Sequence, residues 1–266
     1  MFEFHADRRR YFDIQVDNAT KYVLPFIEEK FPIKAGMRIL EIGCGEAGVL
    51  KPFIDKGCTA IGVEFDLIRI ELANEYLKNE VASGKLSFIG KDIYLVDAEK
   101  ELGGKFDLII LKDVIEHIHD QPKLIAEMQR FLLPNGCIFF GFPPWQMPFG
   151  GHQQIAKNKW LSKLPYYHLL PRGIYKWLLK RNDENITELL EIRDTRISIE
   201  KFERIATATG YNIINKIHFL FNPIYEYKFN IKARKQLPII RNIPWLRNFV
   251  TTCVYYLITP LTPKGE

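Results

Sequence analysis

The chain has 266 residues, of which 47% are hydrophobic and 26% are charged, and its 37 basic and 32 acidic residues give a net charge of +5. A chain of this length and composition can bury a full core, which excludes intrinsic disorder and is typical of one large domain. The positive charge is too small to indicate a nucleic-acid partner by itself.

The first half of the chain alternates short apolar segments with amphipathic ones. Apolar positions at helical spacing predict an N-terminal helix within residues 1–35. Short apolar segments predict strands at 37–43, 59–65, 86–90, 106–112 and 137–142, and helical patterns fill 44–56, 67–84 and 122–136. This alternation predicts an α/β fold, a Rossmann-like parallel sheet with helices on both faces.

The alternation is interrupted twice after residue 142. A helix at 198–210 and strands at 211–221 and 250–258 resume it, and they leave irregular insertions at 143–197 and 222–248. Irregular segments of this length in a compact domain are usually lids or binding loops. We therefore expect a single domain over 1–266 with seven strands, an N-terminal cover helix, and lid insertions after strands 5 and 6 that bind an acceptor.

The cysteines and the chain ends indicate a cellular location. Cys44, Cys58, Cys137 and Cys253 have no CxxC spacing, which argues against a disulfide scaffold or a zinc finger. The N-terminus has no apolar signal segment, and the longest late apolar run, 249–259, is about half the length of a membrane span. We expect a cytoplasmic protein.

The strongest motif is Glu-Ile-Gly-Cys-Gly-Glu-Ala-Gly at 41–48. Gly43, Gly45 and Gly48 have the GxGxxG spacing at a strand-to-helix turn, where glycines allow a tight turn and a close approach to a nucleotide. Alone, this pattern fits a nicotinamide or flavin dehydrogenase equally well. The Glu41 carboxylate would repel a pyrophosphate, so it favours a ligand that carries a cationic amine.

Two more carboxylates follow the next two strands. Glu64 ends the second strand, where a carboxylate can accept hydrogen bonds from both ribose hydroxyls. Asp92 follows the third strand, where it can meet an adenine amine. Glu64 would serve either class of cofactor, so Glu41 carries the distinction from a dinucleotide site.

Four segments together resemble the successive motifs of class I S-adenosylmethionine-dependent methyltransferases. They are LEIGCGEAG, GVEFD, GKDI and FDLIILKDVIEHI, and the resemblance is close over 37–142 and loose over 198–258. Glu-His after the fourth strand, here Glu116-His117, resembles the small-molecule methyltransferases of this class. The resemblance implies a seven-stranded sheet with an antiparallel last strand, S-adenosylmethionine as cofactor and S-adenosylhomocysteine as product.

The resemblance also implies roles for individual residues. The residues implied to face the methionine part of the cofactor are Glu41, Gly43, Cys44, Gly45, Lys112 and Asp113. Those implied to contact the ribose and the adenine are Glu64, Phe65, Asp92 and Ile93. Cys44 is interpreted as a small loop residue and not as a nucleophile, because no local His or acidic partner would activate its thiol.

Methyl transfer is a displacement at a sulfonium, for which the protein aligns and deprotonates the acceptor. His117, after the fourth strand, and His152, early in the first insertion, are the candidate bases. The alternatives are a structural hydrogen bond for His117 and a surface position for His152. No metal is expected, because the Asp and Asn cluster of catechol-type enzymes is not found.

A basic and aromatic stretch occupies 157–181, within a longer segment from Met128 to Asn182 that contains no Asp or Glu. Lysines interleaved with Trp160, Trp177 and leucines suit a membrane interface or a lipid-like acceptor. Alternatively, the apolar faces pack on the sheet and the lysines are only solvated, or the stretch binds a phosphate-bearing substrate. Nucleic acid is not favoured, because no RNA-binding module accompanies the stretch.

The sequence therefore predicts an S-adenosylmethionine-dependent methyltransferase that acts on a small-molecule or lipid-like acceptor. Two other functions stay open, a non-catalytic adaptor that retains the cofactor loop and an NAD(P)-dependent oxidoreductase. Peripheral membrane contact through 157–181 is part of the prediction. The oligomeric state is not predicted.

Overall fold

A computed structural model describes residues 7–261, apart from the side chain of Gln154. One sheet runs through these residues, and its eight strands are β1 (Arg38–Ile42), β2 (Thr59–Val63), β3 (Leu86–Ile89), β4 (Phe106–Lys112), β5 (Leu132–Phe142), β6 (Tyr211–Phe221), β7 (Arg234–Lys235) and β8 (Cys253–Pro260). Their order in space is β3-β2-β1-β4-β5-β8-β6-β7. Strands β1 to β5 are parallel, whereas β8 is antiparallel to both β5 and β6.

This architecture confirms the predicted α/β class, the mostly parallel sheet and the antiparallel last strand. The strand number is eight and not seven, because β7 pairs with Phe219 and Phe221 of β6 within the second insertion. Two residues are too few to produce a readable period-2 pattern. Strand β5 also begins earlier than expected, since Leu132 pairs with Phe106 despite the intervening Pro-Asn-Gly signal. Pairing with β4 overrides the local turn preference there.

Helices cover both faces of the sheet. They are α1 (Arg8–Asn18), α2 (Leu24–Glu28), α3 (Lys51–Asp55), α4 (Leu67–Tyr76), α5 (Lys78–Ala82), α6 (Gln121–Glu127), α7 (Arg172–Arg181), α8 (Ile186–Thr195), α9 (Ile199–Ala208), α10 (Tyr225–Phe229), α11 (Pro238–Arg241) and α12 (Leu246–Val250). On β1, Ile39 packs in the cluster that contains Phe26 of α2, and Leu40 packs in the cluster that contains Phe202 of α9. Both faces are buried, which explains the nearly continuous apolar strands.

The helical predictions are too long near the N-terminus. The segment predicted as one helix over 1–35 consists of α1, a π-helical turn (Ala19–Val23) and α2, which ends at Glu28. Its residues 1–6 lie outside the described part of the chain. Helix α1 starts where the Asp7 carboxylate accepts a hydrogen bond from the Arg10 amide at 2.9 Å. Of the predicted helix at 44–56, only α3 is helical, because the preceding residues form the glycine loop.

The first insertion (143–197) builds a small core of its own. Short 3₁₀ turns and helices α7 and α8 enclose an apolar cluster, which contains Ala156, Leu161, Tyr167, Tyr175, Leu179, Leu189 and Leu190. Tyr166 of this insertion donates its hydroxyl hydrogen to the Phe249 carbonyl at 2.9 Å, next to the second insertion (222–248). The two insertions are therefore joined to each other as well as to the sheet.

The outer surface of the first insertion is basic and aromatic. Trp160 is 88% exposed and Trp177 is 59% exposed, and the lysines of 157–181 are exposed as well. Helix α7 is amphipathic, since Tyr175 and Leu179 are buried whereas Trp177 is exposed. Within residues 7–261, no helix is both long and apolar enough to cross a bilayer.

A buried histidine fastens the first insertion. His168 is fully buried, and its Nε2 lies 2.7 Å from the Trp145 carbonyl oxygen, so Nε2 is the donor. Its Nδ1 then accepts from the Gln153 side-chain amide at 2.6 Å. The Arg193 guanidinium completes the arrangement by donating to the His168 carbonyl at 3.0 Å. These bonds connect the start, the middle and the end of the insertion.

We expect two buried histidines to lower the stability of the protein as pH falls below neutrality, because both must stay neutral in the folded state. Burial lowers the pKa of both His168 and His218 from 6.5 to about 4. The unfolded chain therefore binds more protons than the folded chain between these values, and stability is lost as pH falls through that window. The expected loss between pH 7.5 and pH 5 is roughly 2 kcal/mol for each histidine.

Urea unfolding at both pH values measures this loss. His218→Phe removes one of the two titrating groups and should shrink the pH dependence by about half, whatever its effect on stability at pH 7.5. An unchanged free energy of unfolding at pH 5 would contradict the prediction.

Candidate active site

The glycine loop follows β1 and is shaped by backbone conformations that favour glycine. Gly43 and Gly45 have φ of +66° and +55°. Gly48 gives helix α1 room to pack on the loop, since a Cβ there would lie 2.7 Å from the Phe12 carbonyl oxygen. The loop therefore packs between the sheet and α1, and the missing side chain at Gly48 allows this close approach.

Glu41 lies in β1, two residues before the loop, and its side chain is buried. Its Oε2 accepts no hydrogen bond from any described residue. Burial raises the pKa of Glu41 well above its ordinary value, although Lys112 and Arg69 oppose the rise. An orphaned, buried carboxylate oxygen of this kind is stabilised by a cationic or donor group of a ligand.

Glu64 connects β2 to the glycine loop through backbone amides. Its Oε2 accepts from the Gly45 amide at 3.0 Å, and its Oε1 accepts from the amides of Phe65 and Asp66 at 2.9 and 3.1 Å. These bonds fix the carboxylate at the carboxyl end of β2. The neighbouring Phe65 side chain is 79% exposed.

Three of the predicted cofactor residues have structural partners. The Asp92 carboxylate caps a 3₁₀ turn (Ile93–Leu95) by accepting from the Tyr94 amide at 3.0 Å, and Ile93 packs in the core. Cys44 is buried with its thiol over Gly62, where a Cβ would lie 2.6 Å from the sulfur. Burial raises the pKa of Cys44 well above its ordinary value, which disfavours the nucleophilic thiolate form. This supports a packing role for the Cys44 side chain.

An ion-pair network covers the glycine loop, and the sequence did not predict this network. The buried Glu46 carboxylate binds Arg8 of α1 and Arg69 of α4, each at 2.8 Å. The Arg69 guanidinium lies directly on the loop, since a Cβ at Gly45 would come within 2.0 Å of its Nη2. The available signal was an acidic residue inside the glycine loop, which is otherwise built from small residues.

A cavity of about 380 Å³ lies above the carboxyl ends of β1 and β4. Its walls come from α1, the glycine loop, the segment after β4 and both insertions, and they include Tyr11, Gly43, Lys112, Asp113, His117, Met147, Phe149, His152, Ile155, Ile224, Tyr225 and Lys228. Ligands of open α/β sheets bind in this position. The structure therefore brings the glycine loop, the residues after β4 and the insertions to one site.

Lys112 is the last residue of β4, and Asp113 follows it. The two side chains line the cavity and form an ion pair. Asp113 has a φ of +57°, and its amide donates to the Gly141 carbonyl of β5 at 2.7 Å. Burial opposes a charge on Lys112, but the adjacent Asp113 carboxylate still raises the pKa of the lysine. A second lysine, Lys228 of α10, lies over the Tyr11 ring, and burial lowers its pKa to about 8.

The two predicted bases are brought together. The rings of His117 and His152 lie 4.8 Å apart between centroids, and both line the cavity. Partial desolvation lowers the pKa of the His117 imidazole, and the nearby Asp113 carboxylate opposes this shift. Glu116 is buried beside them, and its Oε2 has no hydrogen-bond partner within residues 7–261.

A family model described as a methyltransferase domain matches residues 12–216, which is more than half of the chain. The chain belongs to this methyltransferase family. It is 30% identical over 181 residues to the ubiquinone biosynthesis O-methyltransferase of Bartonella bacilliformis. The aligned region covers 64% of this chain and 69% of that protein. The chain is 25% identical over 191 residues to a protein of the same name from Rhizobium leguminosarum bv. trifolii, which covers 71% and 64%.

A solved geranyl diphosphate methyltransferase in complex with S-adenosylmethionine has the same fold, with a TM-score of 0.58 at 16% identity over 92% of this chain and 85% of that one. The family confirms the predicted activity class and S-adenosylmethionine as the methyltransferase's cofactor. The oxidoreductase alternative is thereby set aside. The roles of individual site residues in this methyltransferase rest on the geometry described above.

Proposed function

We propose that this methyltransferase transfers a methyl group from S-adenosylmethionine to an oxygen atom of a small, lipid-like acceptor. The observation that carries the proposal is the single cavity in which the glycine loop meets the pair of His117 and His152. The two relatives described above are named as O-methyltransferases of ubiquinone biosynthesis, which supports an oxygen acceptor. Apolar wall residues such as Met147, Phe149 and Ile224 suit a lipid-like one.

The residues present fit the cofactor. The orphaned Glu41 oxygen would receive the amine of the methionine part, above Gly43. Glu64 would hold the ribose hydroxyls at the carboxyl end of β2, and the exposed Phe65 ring would cover the adenine beside Asp92 and Ile93. When bound, S-adenosylmethionine supplies a methyl group on a sulfonium, so the S–CH₃ bond breaks as the O–CH₃ bond forms.

The acceptor must lose a proton during this exchange. His117 and His152 face the cavity from two different segments, one from the core and one from the first insertion. We assign this pair to the acceptor hydroxyl, whose proton it removes or whose deprotonated form it stabilises. Lys112 and Asp113 lie at the cofactor end of the same cavity and orient the methionine part.

The two insertions and helix α1 would form the acceptor-binding cover. Met147, Phe149 and Ile155 enter the cavity from the first insertion, and Ile224 and Tyr225 enter it from the second. Helix α1 contributes Tyr11 from the side of the glycine loop. A cover of this kind excludes water from the reacting atoms, which prevents hydrolysis and strengthens the electrostatic contacts inside.

Calorimetry and turnover test the proposed function together. Titration with S-adenosylhomocysteine, NAD and NADP should give micromolar binding of the first compound only. Incubation with methyl-labelled S-adenosylmethionine and a lipid extract should then transfer the label to an extractable compound. In this compound the labelled methyl group should be present as a methyl ether. Binding without any transfer to the extract or to a panel of small phenols would instead favour the non-catalytic adaptor.

We further propose that 157–181 contacts an anionic membrane surface. Trp160 and Trp177 are exposed aromatic residues in a stretch with exposed lysines, and the Arg181 guanidinium lies 5.7 Å from the Trp177 ring centroid. Tryptophans enter the headgroup region and lysines pair with anionic lipids, so this surface has both components of peripheral binding. Of the other apolar residues of α7, Tyr175 and Leu179 are buried in the insertion's own core, whereas Ile174, in the same helix as Trp177, is 51% exposed.

The double variant Trp160→Ser, Trp177→Ser should reduce binding to phosphatidylcholine vesicles that contain phosphatidylglycerol by at least tenfold, because both interfacial anchors are lost. Co-sedimentation at low and high salt measures the effect, and binding of the wild type should weaken with salt. Leu95→Ser is the matched control, since Leu95 is 74% exposed on another part of the surface. Equal sedimentation of the double variant and the wild type would refute membrane contact here.

A further inference from the structure

Three side chains with metal-binding atoms converge where the first insertion meets the core. Glu116 and His117 belong to the 3₁₀ turn after β4, and His152 precedes a second 3₁₀ turn in the first insertion. One ligand atom from each residue lies within 4.8 Å of the other two. The sequence analysis expects no metal, because it finds no catechol-type cluster of Asp and Asn; His117 and His152 are 35 positions apart in the sequence, and the fold brings them together.

One oxygen of the carboxylate in this group lacks a hydrogen-bond partner among the described residues. Glu116 is 5% exposed, and its Oε2 accepts no hydrogen bond from the described residues. A buried carboxylate oxygen without a partner is costly unless a cation or a donor binds it. The neighbouring Asp113 carboxylate is itself negatively charged, and the Lys112 ammonium group is already paired with Asp113.

The His152 ring is placed by a constrained turn. The residue has a φ of +53°, which non-glycine residues seldom adopt, and its amide donates to the Phe149 carbonyl at 3.1 Å. The next residue, Gln153, is bonded to the buried His168. The surrounding structure therefore holds His152 in a less common backbone conformation, with its ring centroid 4.8 Å from that of His117.

We propose that Glu116, His117 and His152 bind one divalent cation of the zinc class. One carboxylate and two imidazoles are a ligand set that zinc and related transition metals favour, and three protein ligands leave a coordination position open. Because the residues line the cavity, that open position faces the acceptor space. The ion would also join the first insertion to the turn after β4, so it would order the acceptor cover.

Metal binding by the full-length protein, without a polyhistidine tag and after chelator treatment, tests the site independently of methyl transfer. Calorimetry with ZnCl₂ should show one site with a Kd of micromolar or tighter, and Co²⁺ should develop the visible absorption of a low-symmetry site. Mg²⁺ should bind far more weakly, because it prefers oxygen ligands. Failure of the methyl-transfer assay would leave this result intact, so the two proposals can fail separately.

Two substitutions locate the ion. His152→Ala and Glu116→Gln should each weaken Zn²⁺ binding at least a hundredfold, and the second keeps the shape of the buried side chain should the first destabilise the insertion. His119→Ala, an exposed histidine two residues from His117, should leave the affinity unchanged. Zinc should also slow tryptic cleavage at Lys157 and Lys159 in the wild type but not in Glu116→Gln.

Zinc affinity weaker than about millimolar in the wild type would overturn the proposal. Equal affinity in the wild type and in both variants would also overturn it, because the ion would then lie elsewhere.

Discussion

Glu64→Ala should lower the affinity for S-adenosylhomocysteine at least a hundredfold. Two hydrogen bonds from ribose hydroxyls to a carboxylate contribute about 1.5–3 kcal/mol each. The substitution also frees the Gly45, Phe65 and Asp66 amides, which hold the glycine loop at the end of β2. Calorimetric titration measures the loss, and the melting temperature should fall by several degrees while the protein remains folded.

Glu71→Ala is the control for this substitution, because Glu71 is an exposed residue of α4, the helix that follows Glu64. Glu71→Ala removes the same charge and should leave the Kd for S-adenosylhomocysteine unchanged. Glu64→Asp should give an intermediate affinity, since it keeps the charge and shortens the reach. An affinity of Glu64→Ala within threefold of the wild type would place the ribose elsewhere.

His117→Ala and His152→Ala should each lower kcat by about 10² to 10⁴, the range in which a positioned proton acceptor or its equivalent acts. Neither residue is assigned to the cofactor, so the Kd for S-adenosylhomocysteine should change by less than about twofold. Rates of S-adenosylhomocysteine formation with the labelled acceptor measure the effect.

The double variant distinguishes two groups that act together from two that act separately. If the pair forms one unit, the double variant should be no slower than the slower single variant, because effects within a unit are not additive. His119→Ala should keep the wild-type kcat. Retention of more than a third of the wild-type kcat in both single variants would remove the pair from the chemistry.

The central fold was predictable because the central strands β1 and β4 are buried on both faces. Ile39 and Leu40 pack in opposite clusters, so β1 reads as a continuous apolar segment that ends in a glycine loop. Gly43 and Gly45 are needed for their positive φ, so the loop is visible in the sequence as well. Glu64 and Glu41 could be placed for the same reason, since each is a charged residue at the end of an apolar strand.

The remaining parts of the site depend on contacts between distant segments. The network of Arg8, Glu46 and Arg69 joins α1, the loop and α4, and apart from the acidic residue in the loop no local pattern indicates it. The cavity position of Lys228 requires the second insertion to reach α1, where the lysine covers Tyr11. Asp92 shows the reverse difficulty, because the same residue caps a turn and lies where the family places an adenine contact.

The position of β8 sets an order on the assembly of the sheet. This strand comes last in the described chain, yet it lies between β5 and β6 and is hydrogen-bonded to both. Until residues 253–260 leave the ribosome, β5 has an unpaired edge and β6 cannot join the sheet. An open edge can pair with a neighbouring chain, so nascent or truncated forms that lack β8 are the species most exposed to aggregation.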